Sequence, residues 1–266
     1  MQGFRELSTS YAFIDGASFE ASTEQILRDF EASFDQINWQ ALTKNADRIF
    51  YFDALPVPKK GGLDESFSTK LKAKEDALSK LRRVPNMHVR LGFTRRRDAK
   101  PDTLSQKAVD ISLAVEVMLH SLWENISVAR LFVNDLDFFP LLDALTKTKV
   151  KTELFYNPTK TAPEMIEAAD TSQEINHYTF HSALPDFKKV EYQISAGDPA
   201  NGVWDSIAKG RNPHGDVFLT YSKNNDRYMM EGKVSENSPV SAMSKSKPLI
   251  VSYFEFVSMT RVSWSK

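Results

Sequence analysis

The sequence predicts an α/β fold with a central parallel sheet flanked by helices, followed by a small, mostly antiparallel β module. Over roughly the first two thirds of the chain, short apolar runs typical of buried strands alternate with segments of helical periodicity. Beyond that part, strand-like runs follow one another with turn residues between them. We therefore predict two domains, at residues 1–180 and 181–266.

Five strands and five helices are predicted in the first domain. The strands cover residues 11–15, 47–52, 87–93, 128–133 and 150–156. The helices cover residues 23–34, 64–83, 106–123, 140–146 and 162–170. Because strands and helices alternate, the strands should be parallel and joined by right-handed crossovers.

The second domain is predicted to be a β module of unknown role. Its strands cover residues 187–194, 216–222, 227–233 and 248–257, with a hairpin turn at residues 223–226 between the middle two. We expect this module to select substrate, to form a homodimer or to hold a partner protein.

Composition excludes several classes of site and of protein. The 266 residues include 41% apolar residues and 18 phenylalanines, which is enough to build a core. There is no cysteine, so disulfides and thiolate metal sites are excluded and any metal needs oxygen or imidazole ligands. No segment approaches the ~20 apolar residues of a membrane span. We expect a cytoplasmic protein with no membrane partner.

Basic residues are concentrated in one part of a chain whose net charge is −1. Residues 59–107 contain 14 lysines and arginines against 6 acidic residues. This segment is either a polyanion-binding surface or a solvated helix of mixed charge, and charge alone leaves both open. Five cations near the end of the third predicted strand are candidate phosphate ligands, with a solvated loop as the alternative: Arg95, Arg96, Arg97, Lys100 and Lys107.

Acidic residues recur where the predicted parallel strands end. Asp15 ends the first strand, and Asp135 and Asp137 follow the fourth. Asp110 lies near the start of a helix that begins at the same edge of the sheet, where ligands of such sheets bind. Glu116 is about 9 Å further along that helix and about 120° around it, so it ranks below the aspartates.

Converging carboxylates repel one another, and a hard cation such as Mg²⁺ or Mn²⁺ relieves that repulsion. Such ions activate water and stabilise the charge of a phosphoryl group. Each acid also has an ordinary interpretation: a strand-end turn for Asp15, an exposed loop for Asp135 and Asp137, and a helix-start residue for Asp110. Convergence from three separate segments favours the functional interpretation.

Three motifs resemble the NYN domain family, a branch of the PIN-like ribonucleases. The family pattern Asp-Gly-x-Asn corresponds to Asp-Gly-Ala-Ser at residues 15–18. Lys-Gly-Val-Asp followed by Leu-Ala-x-Asp corresponds to Lys-Ala-Val-Asp and Leu-Ala-Val-Glu within residues 107–116. Ser-Gly-Asp-x-Asp-Phe-x-Pro-Leu corresponds to Val-Asn-Asp-Leu-Asp-Phe-Phe-Pro-Leu at residues 133–141.

The resemblance implies a Rossmann-like PIN/NYN fold and a Mg²⁺- or Mn²⁺-dependent ribonuclease. It implies metal ligands at Asp15, Asp110, Asp135 and Asp137, with Glu116 in place of a family aspartate. Ser18 and Asn134 depart from the pattern, which has asparagine and glycine at these positions, and both are candidate substrate-binding residues. A non-catalytic RNA- or protein-binding module, or a nuclease acting on DNA, are the alternatives.

Overall fold

Strands and helices alternate along the first part of the chain. The computed structural model describes residues 8–56, 65–92, 95–96, 104–105, 107–198 and 202–265. In chain order, the elements up to residue 174 are β1 (Ser10–Asp15), α1 (Gly16–Asp29), α2 (Trp39–Leu42), β2 (Arg48–Asp53), α3 (Glu65–Leu81), β3 (Met87–Leu91), β4 (Arg95–Arg96), β5 (Leu104–Ser105), α4 (Lys107–Leu122), β6 (Val128–Phe132), α5 (Phe139–Leu145), β7 (Lys151–Tyr156), α6 (Pro163–Ala168) and β8 (Thr171–Glu174).

Six of these strands form one sheet in the order β3-β2-β1-β6-β7-β8, and every neighbouring pair is parallel. The predicted parallel sheet with flanking helices is therefore confirmed. β8 was not predicted, because its sequence Thr-Ser-Gln-Glu lacks the apolar run of a central strand and it pairs only at the sheet edge.

The order of strands reverses next to β1. β2 and β3 lie on one side of β1, and the later strands β6, β7 and β8 lie on its other side. Connections that follow β1 and β6 therefore leave in opposite directions and open a crevice at the carboxyl ends of these two strands. Such a switch point is where open α/β sheets bind ligands.

The core of this sheet is apolar on both faces. All six residues of β1 are buried, and the rings of Phe13 and Phe50 stack with centroids 5.2 Å apart. On α4, Val109, Leu113 and Val117 pack into this core. Leu122 was predicted on the same stripe but is 65% exposed. It lies five residues beyond Val117, which turns it about 140° away around the helix.

A short ladder replaces part of a predicted loop. Residues 94–103 were predicted to be an irregular segment, but β4 pairs antiparallel with β5 through Arg95 opposite Ser105 and Arg96 opposite Leu104. Two-residue strands leave no periodic signal in the sequence, so this pairing could not be predicted.

The last part of the chain combines an antiparallel sheet with three helices in its described residues. Its elements are α7 (His177–His181), α8 (Asp186–Tyr192), β9 (Ser195–Ala196), β10 (Asp205–Asn212), β11 (Gly215–Ser222), β12 (Arg227–Ser235), β13 (Ser238–Ser244), α9 (Lys247–Ser258) and β14 (Ser263–Trp264). The strand order is β14-β10-β11-β12-β13-β9. The predicted antiparallel sheet and the hairpin turn between β11 and β12 are confirmed.

The strand predicted at residues 187–194 is wrong, because this segment forms α8. Pro185 fixes the backbone just before the helix, and Asp186 in the first turn favours its positive end. Lys188 and Tyr192, four residues apart, face the same way, with the ammonium group 5.8 Å from the ring centroid. Phe187 and Val190, which suggested a strand, are exposed.

The strand predicted at residues 248–257 is also wrong, because this segment forms α9. Ser246 caps the helix by accepting a hydrogen bond from the Leu249 backbone N–H at 3.2 Å, and Pro248 stands in the first turn. Ile250 and Phe254, spaced by four residues, are buried. Short apolar runs fit both a strand and a buried helix, and here the cap decides for the helix.

The chain divides into two compact units. Residues 1–24 and 39–175 form one unit, and residues 25–38 and 176–266 form the other. The domain limits at residues 180 and 181 stay a prediction. Within the described residues, no helix is both long enough and apolar enough to cross a membrane.

Candidate active site

Asp15 joins the end of β1 to the start of α1. The helix begins at the next residue, well before the predicted start at residue 23. The Oδ1 atom of Asp15 accepts a hydrogen bond from the backbone N–H of Ser18 at 3.4 Å. The first N–H groups of a helix have no partner within it, so a short oxygen-bearing side chain is favoured at this position. The Asp15 side chain is therefore held at the carboxyl edge of the sheet, with 8% of its surface exposed.

Gly16 allows β1 to pass directly into α1. A Cβ atom at this position would lie 2.6 Å from Cε1 of Tyr51 and 2.9 Å from the backbone oxygen of Phe52, both on the neighbouring strand. Only glycine fits this close approach without a shift of β2. The Asp-Gly pair therefore has a structural role at the junction of β1 and α1, whether or not Asp15 also takes part in catalysis.

The carboxyl group of Asp15 holds its proton more tightly than an ordinary aspartate does. The pKa of Asp15 is raised from 3.8 to about 6. Burial is the largest cause, the charges of Asp110 and Asp53 also raise the pKa, and hydrogen bonds from Ser18 and Ala17 lower it. No lysine, arginine or histidine of the described chain forms an ion pair with Asp15. The ionised group is therefore unfavourable in the protein alone.

Asp135 and Asp137 lie in the segment that follows β6. Asp135 caps a single 3₁₀ turn at Leu136–Phe138, and its Oδ1 accepts a hydrogen bond from the Asp137 backbone N–H at 3.1 Å. Both aspartates are exposed. Asp110 is half-buried in the first turn of α4. The charge of Asp110 raises the pKa of Asp15, so the start of α4 lies close enough to the end of β1 for the two carboxylates to repel each other.

A cavity of about 420 Å³ opens at the switch point between β1 and β6. It is lined by Asp15, Ser18, Asn134, Asp135, Leu136, Lys160 and Ala162. The cavity brings together residues from β1, α1, the segment after β6 and the segment after β7. Two carboxylates and one ammonium group thus share a crevice where a ligand has access.

The sequence pattern of the NYN domain matches residues 11–176, which include nearly the whole parallel sheet. This chain belongs to the NYN domain family. The NYN domain is part of the PIN-like nuclease superfamily. The predicted membership is therefore confirmed.

Two other comparisons add little to this family assignment. Among solved structures, a protein of unknown function from Vibrio parahaemolyticus is similar, with 16% sequence identity and a TM-score of 0.44. The similarity covers 70% of this chain and 100% of that chain. No curated protein matches the chain.

The NYN domain brings some of the predicted acidic residues together and separates another from them. Asp15 interacts electrostatically with Asp110 and shares a cavity with Asp135. Among the residues that the structure describes, however, no three histidine, aspartate or glutamate side chains lie close enough together to hold one metal ion. The carboxylates thus form a loose acidic set rather than a closed ligand shell.

Glu116 is engaged in an ion pair on another surface. Its carboxylate accepts hydrogen bonds from Nε of Arg90 at 2.9 Å and from Nη2 of Arg90 at 2.8 Å, and His120 lies 3.9 Å away. This bidentate pair holds α4 against β3. Its position agrees with the lower rank that helix geometry gave to Glu116.

The predicted phosphate-binding cations lie mostly outside the described residues. Arg97 and Lys100 are not described, and for Arg95, Arg96 and Lys107 only the backbone is described. Their proposed contact with RNA therefore stays a prediction.

Two features of this edge were missed in the sequence. Lys160, in the segment after β7, lines the cavity and donates a hydrogen bond from Nζ to the backbone oxygen of Ala21 at 2.9 Å. Asp53 ends β2 as Asp15 ends β1, and it is 2% exposed. Both follow parallel strands, so the rule that selected Asp15 would also have found them.

Asp53 belongs to a partly buried ion-pair network at the end of β2. Its Oδ2 lies 2.6 Å from Nζ of Lys74, which also lies 2.7 Å from Oε1 of Glu20. Tyr51 donates its hydroxyl proton to the same Glu20 oxygen at 2.9 Å. Burial raises the pKa of Asp53, although Lys74 opposes this. The network fixes α3 to the end of β2.

The carboxylates of this acidic set are the kind of ligand that a hard divalent cation prefers. Asp15 and Asp135 offer carboxylate oxygens to the cavity, and Asp110 adds a third negative charge near Asp15. Burial and like charges make the Asp15 carboxylate unfavourable on its own, and a bound cation removes that cost. These oxygen donors match Mg²⁺ or Mn²⁺ rather than a softer ion.

The raised pKa of Asp15 predicts a particular dependence of stability on pH. Because the folded-state pKa is above the unfolded value of 3.8, the contribution of Asp15 to stability is full below pH 3.8 and is lost as pH rises to about 6. The loss amounts to about 3 kcal/mol. Denaturant unfolding of the wild type and Asp15→Asn in chelator, from about pH 4 to about pH 7, measures this difference. A gap between the two proteins that stays constant over this range contradicts the shift.

Proposed function

We propose that this NYN domain is a divalent-metal-dependent ribonuclease, most simply an endoribonuclease, which hydrolyses phosphodiester bonds at the carboxyl edge of its parallel sheet. The observation that carries the proposal is the buried Asp15 carboxylate, which lines the crevice with a raised pKa and has no cationic partner among the residues that the structure describes. A carboxylate held in this way is costly to the folded protein, and groups perturbed in this way cluster at functional sites. Membership of a nuclease superfamily supplies the reaction class.

Asp15, Asp110 and Asp135 are the residues proposed to hold Mg²⁺ or Mn²⁺. When bound, the ion supplies positive charge for a phosphoryl oxygen and lowers the pKa of a water molecule. The protein's own part is to fix the carboxylates: Asp15 through the N-terminus of α1, and Asp135 through the 3₁₀ turn. Asp137 is proposed as an outer member, because it neither lines the cavity nor, unlike Asp110, is among the charges that raise the pKa of Asp15.

Lys160 is proposed to hold a phosphate of the RNA next to the carboxylates. It is the cation that the described cavity lining contains, and it is exposed. Neutralisation of one phosphate by a lysine strengthens binding and makes it sensitive to salt. Five further cations are proposed to bind neighbouring phosphates of the same RNA: Arg95, Arg96, Arg97, Lys100 and Lys107.

Replacing Lys160 with methionine is expected to weaken RNA binding severalfold and to lower the slope of log K against log salt by about 0.7, the contribution of one phosphate in a single strand. Cleavage of bound RNA should change less than binding does. Fluorescence anisotropy over a range of salt concentrations measures the affinity and its salt slope, and single-turnover assays measure cleavage of the bound RNA. Lys147→Met is the matched control, because Lys147 follows the C-terminal end of α5 at the opposite edge of the sheet and pairs with Asp143 at 2.8 Å. An unchanged salt slope for Lys160→Met contradicts its role.

A cleavage assay tests the proposed reaction and its alternatives. Labelled single-stranded RNA, structured RNA and DNA are incubated with the protein in Mn²⁺ or in chelator. Asp135→Asn and Asp137→Asn run beside the wild type, and asparagine keeps the capping oxygen in place of Asp135. We expect RNA cleavage in Mn²⁺ only, with a larger loss for Asp135→Asn than for Asp137→Asn.

The other outcomes distinguish the remaining functions. RNA binding without cleavage of any substrate supports a non-catalytic binding module. Cleavage of DNA alone supports a DNA nuclease. Cleavage that neither substitution lowers contradicts the assignment of the site.

A further inference from the structure

Asn134 is the most fully bonded polar side chain at the candidate active site. It follows β6, directly precedes Asp135 and is 8% exposed. Its Nδ2 donates hydrogen bonds to Oγ of Ser18 at 2.6 Å and to Oγ of Ser22 at 3.0 Å. Its Oδ1 accepts from the backbone N–H of Asn157 at 2.7 Å and from Oγ1 of Thr161 at 2.8 Å. Both donors and both lone pairs of the amide are therefore used.

These four bonds join three of the segments that line the cavity. Ser18 and Ser22 belong to α1, and Ser18 in turn donates its backbone N–H to Asp15. Asn157 and Thr161 flank Lys160 in the segment after β7. Asn134 itself is covalently joined to Asp135. One buried amide thus links the segments that carry the two carboxylates and the lysine of the cavity.

Two of the positions at which this chain departs from the NYN motif, Ser18 and Asn134, are in direct contact. The motif has asparagine at the position of Ser18 and glycine at the position of Asn134, and a glycine has no side chain to make these bonds. Here the amide is on the β6 side of the contact and the hydroxyl on the α1 side. One hydrogen bond thus joins these two side chains directly.

We propose that Asn134 is a positioning residue that sets the separation of Asp15 and Asp135, and that Ser18 and Asn134 act as a coupled pair. The proposal rests on the proposed function, since the carboxylates are positioned for a divalent cation. A buried amide with all its bonds satisfied is rigid, because any movement leaves a polar group without a partner. Rigid outer contacts of this kind control the affinity of metal sites.

Binding of Mn²⁺ to the full chain, without nucleic acid, tests the proposal through the electron paramagnetic resonance signal of free Mn²⁺. We expect Asn134→Ala and Asn134→Gly to raise the Kd about 10-fold or more. The double variant Ser18→Asn/Asn134→Gly restores the arrangement of the motif and should recover most of the affinity lost in Asn134→Gly. Such rescue is not expected from a merely structural role.

Thr152→Val is the control for general destabilisation. Thr152 is buried at the start of β7, and its Oγ1 and backbone N–H both donate to Oδ2 of Asp170, at 2.8 and 2.7 Å. This variant loses buried hydrogen bonds at the opposite edge of the sheet, so its stability should fall while its Mn²⁺ affinity stays unchanged. Hydrogen exchange of the Asn157 amide, which donates to Asn134, should accelerate in Asn134→Ala and not in Thr152→Val.

The outcomes separate this proposal from the proposed function. If the wild type binds Mn²⁺ and Asn134→Ala binds it equally well, the positioning role is wrong while the metal site stands. If the double variant shows only the sum of the two single losses, the coupling of Ser18 and Asn134 is wrong. If the wild type itself binds no Mn²⁺, the proposed function fails and the positioning role fails with it.

Discussion

Replacing Asp15 with asparagine is expected to lower RNA cleavage by about 100-fold or more while making the folded protein more stable. Loss of a supporting contact at a metal site already costs about 10-fold to 100-fold, and loss of a direct ligand should cost at least as much. Asparagine keeps the oxygen that caps α1, so the local fold is preserved. Single-turnover cleavage of labelled RNA in Mn²⁺ measures the first effect.

The gain in stability follows from the buried charge that the substitution removes. At neutral pH in chelator, Asp15→Asn should be more stable than the wild type by up to about 3 kcal/mol, since the pKa of Asp15 is raised to about 6. Opposite changes in activity and stability are typical of a group kept for function. A variant that loses activity and stability together indicates that Asp15 serves mainly to join β1 to α1.

Replacing Lys74 with methionine is expected to destabilise the protein by about 3 kcal/mol, because the substitution leaves Asp53 buried without its counter-charge. The ammonium group lies 2.6 Å from Asp53 and 2.7 Å from Glu20. Desolvation lowers the pKa of Lys74, but its bonds to these two acids outweigh desolvation and raise it. Denaturant unfolding at neutral pH measures the change in the free energy of unfolding.

Two further variants separate the ion pair from a general effect on α3. Lys70→Met removes an exposed lysine of the same helix and should change stability by less than about 0.5 kcal/mol. Lys74→Met/Asp53→Asn removes both charges and should recover most of the lost stability, because asparagine keeps the Oδ1 atom that accepts a hydrogen bond from the Ala54 backbone N–H. No recovery in the double variant would show that Lys74 acts through packing alone.

The parallel sheet could be predicted because its strands are buried on both faces and read as apolar runs. The strands β1 and β2 have that signal along nearly their whole length. β8 and the ladder of β4 and β5 could not be predicted, since short or edge strands carry no such pattern. The helices α8 and α9 were predicted as strands because their short apolar runs fit either element, and the helix-start residues Pro185 and Ser246 decide between the two.

The candidate site was predictable as far as strand ends could be located. That rule selected Asp15 and Asp135 from the sequence, and the cavity at the switch point contains both. It could not show that Asp15 caps a helix, because the start of α1 was placed too late. Nor could it show that Asn134 reaches Ser18, since a hydrogen bond between residues so far apart in sequence depends on tertiary packing. Ser18 and Asn134 were therefore two separate departures from the motif in the sequence, whereas they contact each other in the fold.

Direct binding of Mn²⁺ tests the central claim most simply, because it does not depend on the choice of nucleic acid. The wild type, Asp15→Asn and Asp143→Asn are titrated with Mn²⁺ at neutral pH, and the free ion is followed by electron paramagnetic resonance. Asp143 is the control because its carboxylate lies on the surface of α5 and pairs with Lys147. We predict binding by the wild type and Asp143→Asn, and a loss of affinity of about 10-fold or more for Asp15→Asn. Equal affinity of the wild type and Asp15→Asn would contradict the account.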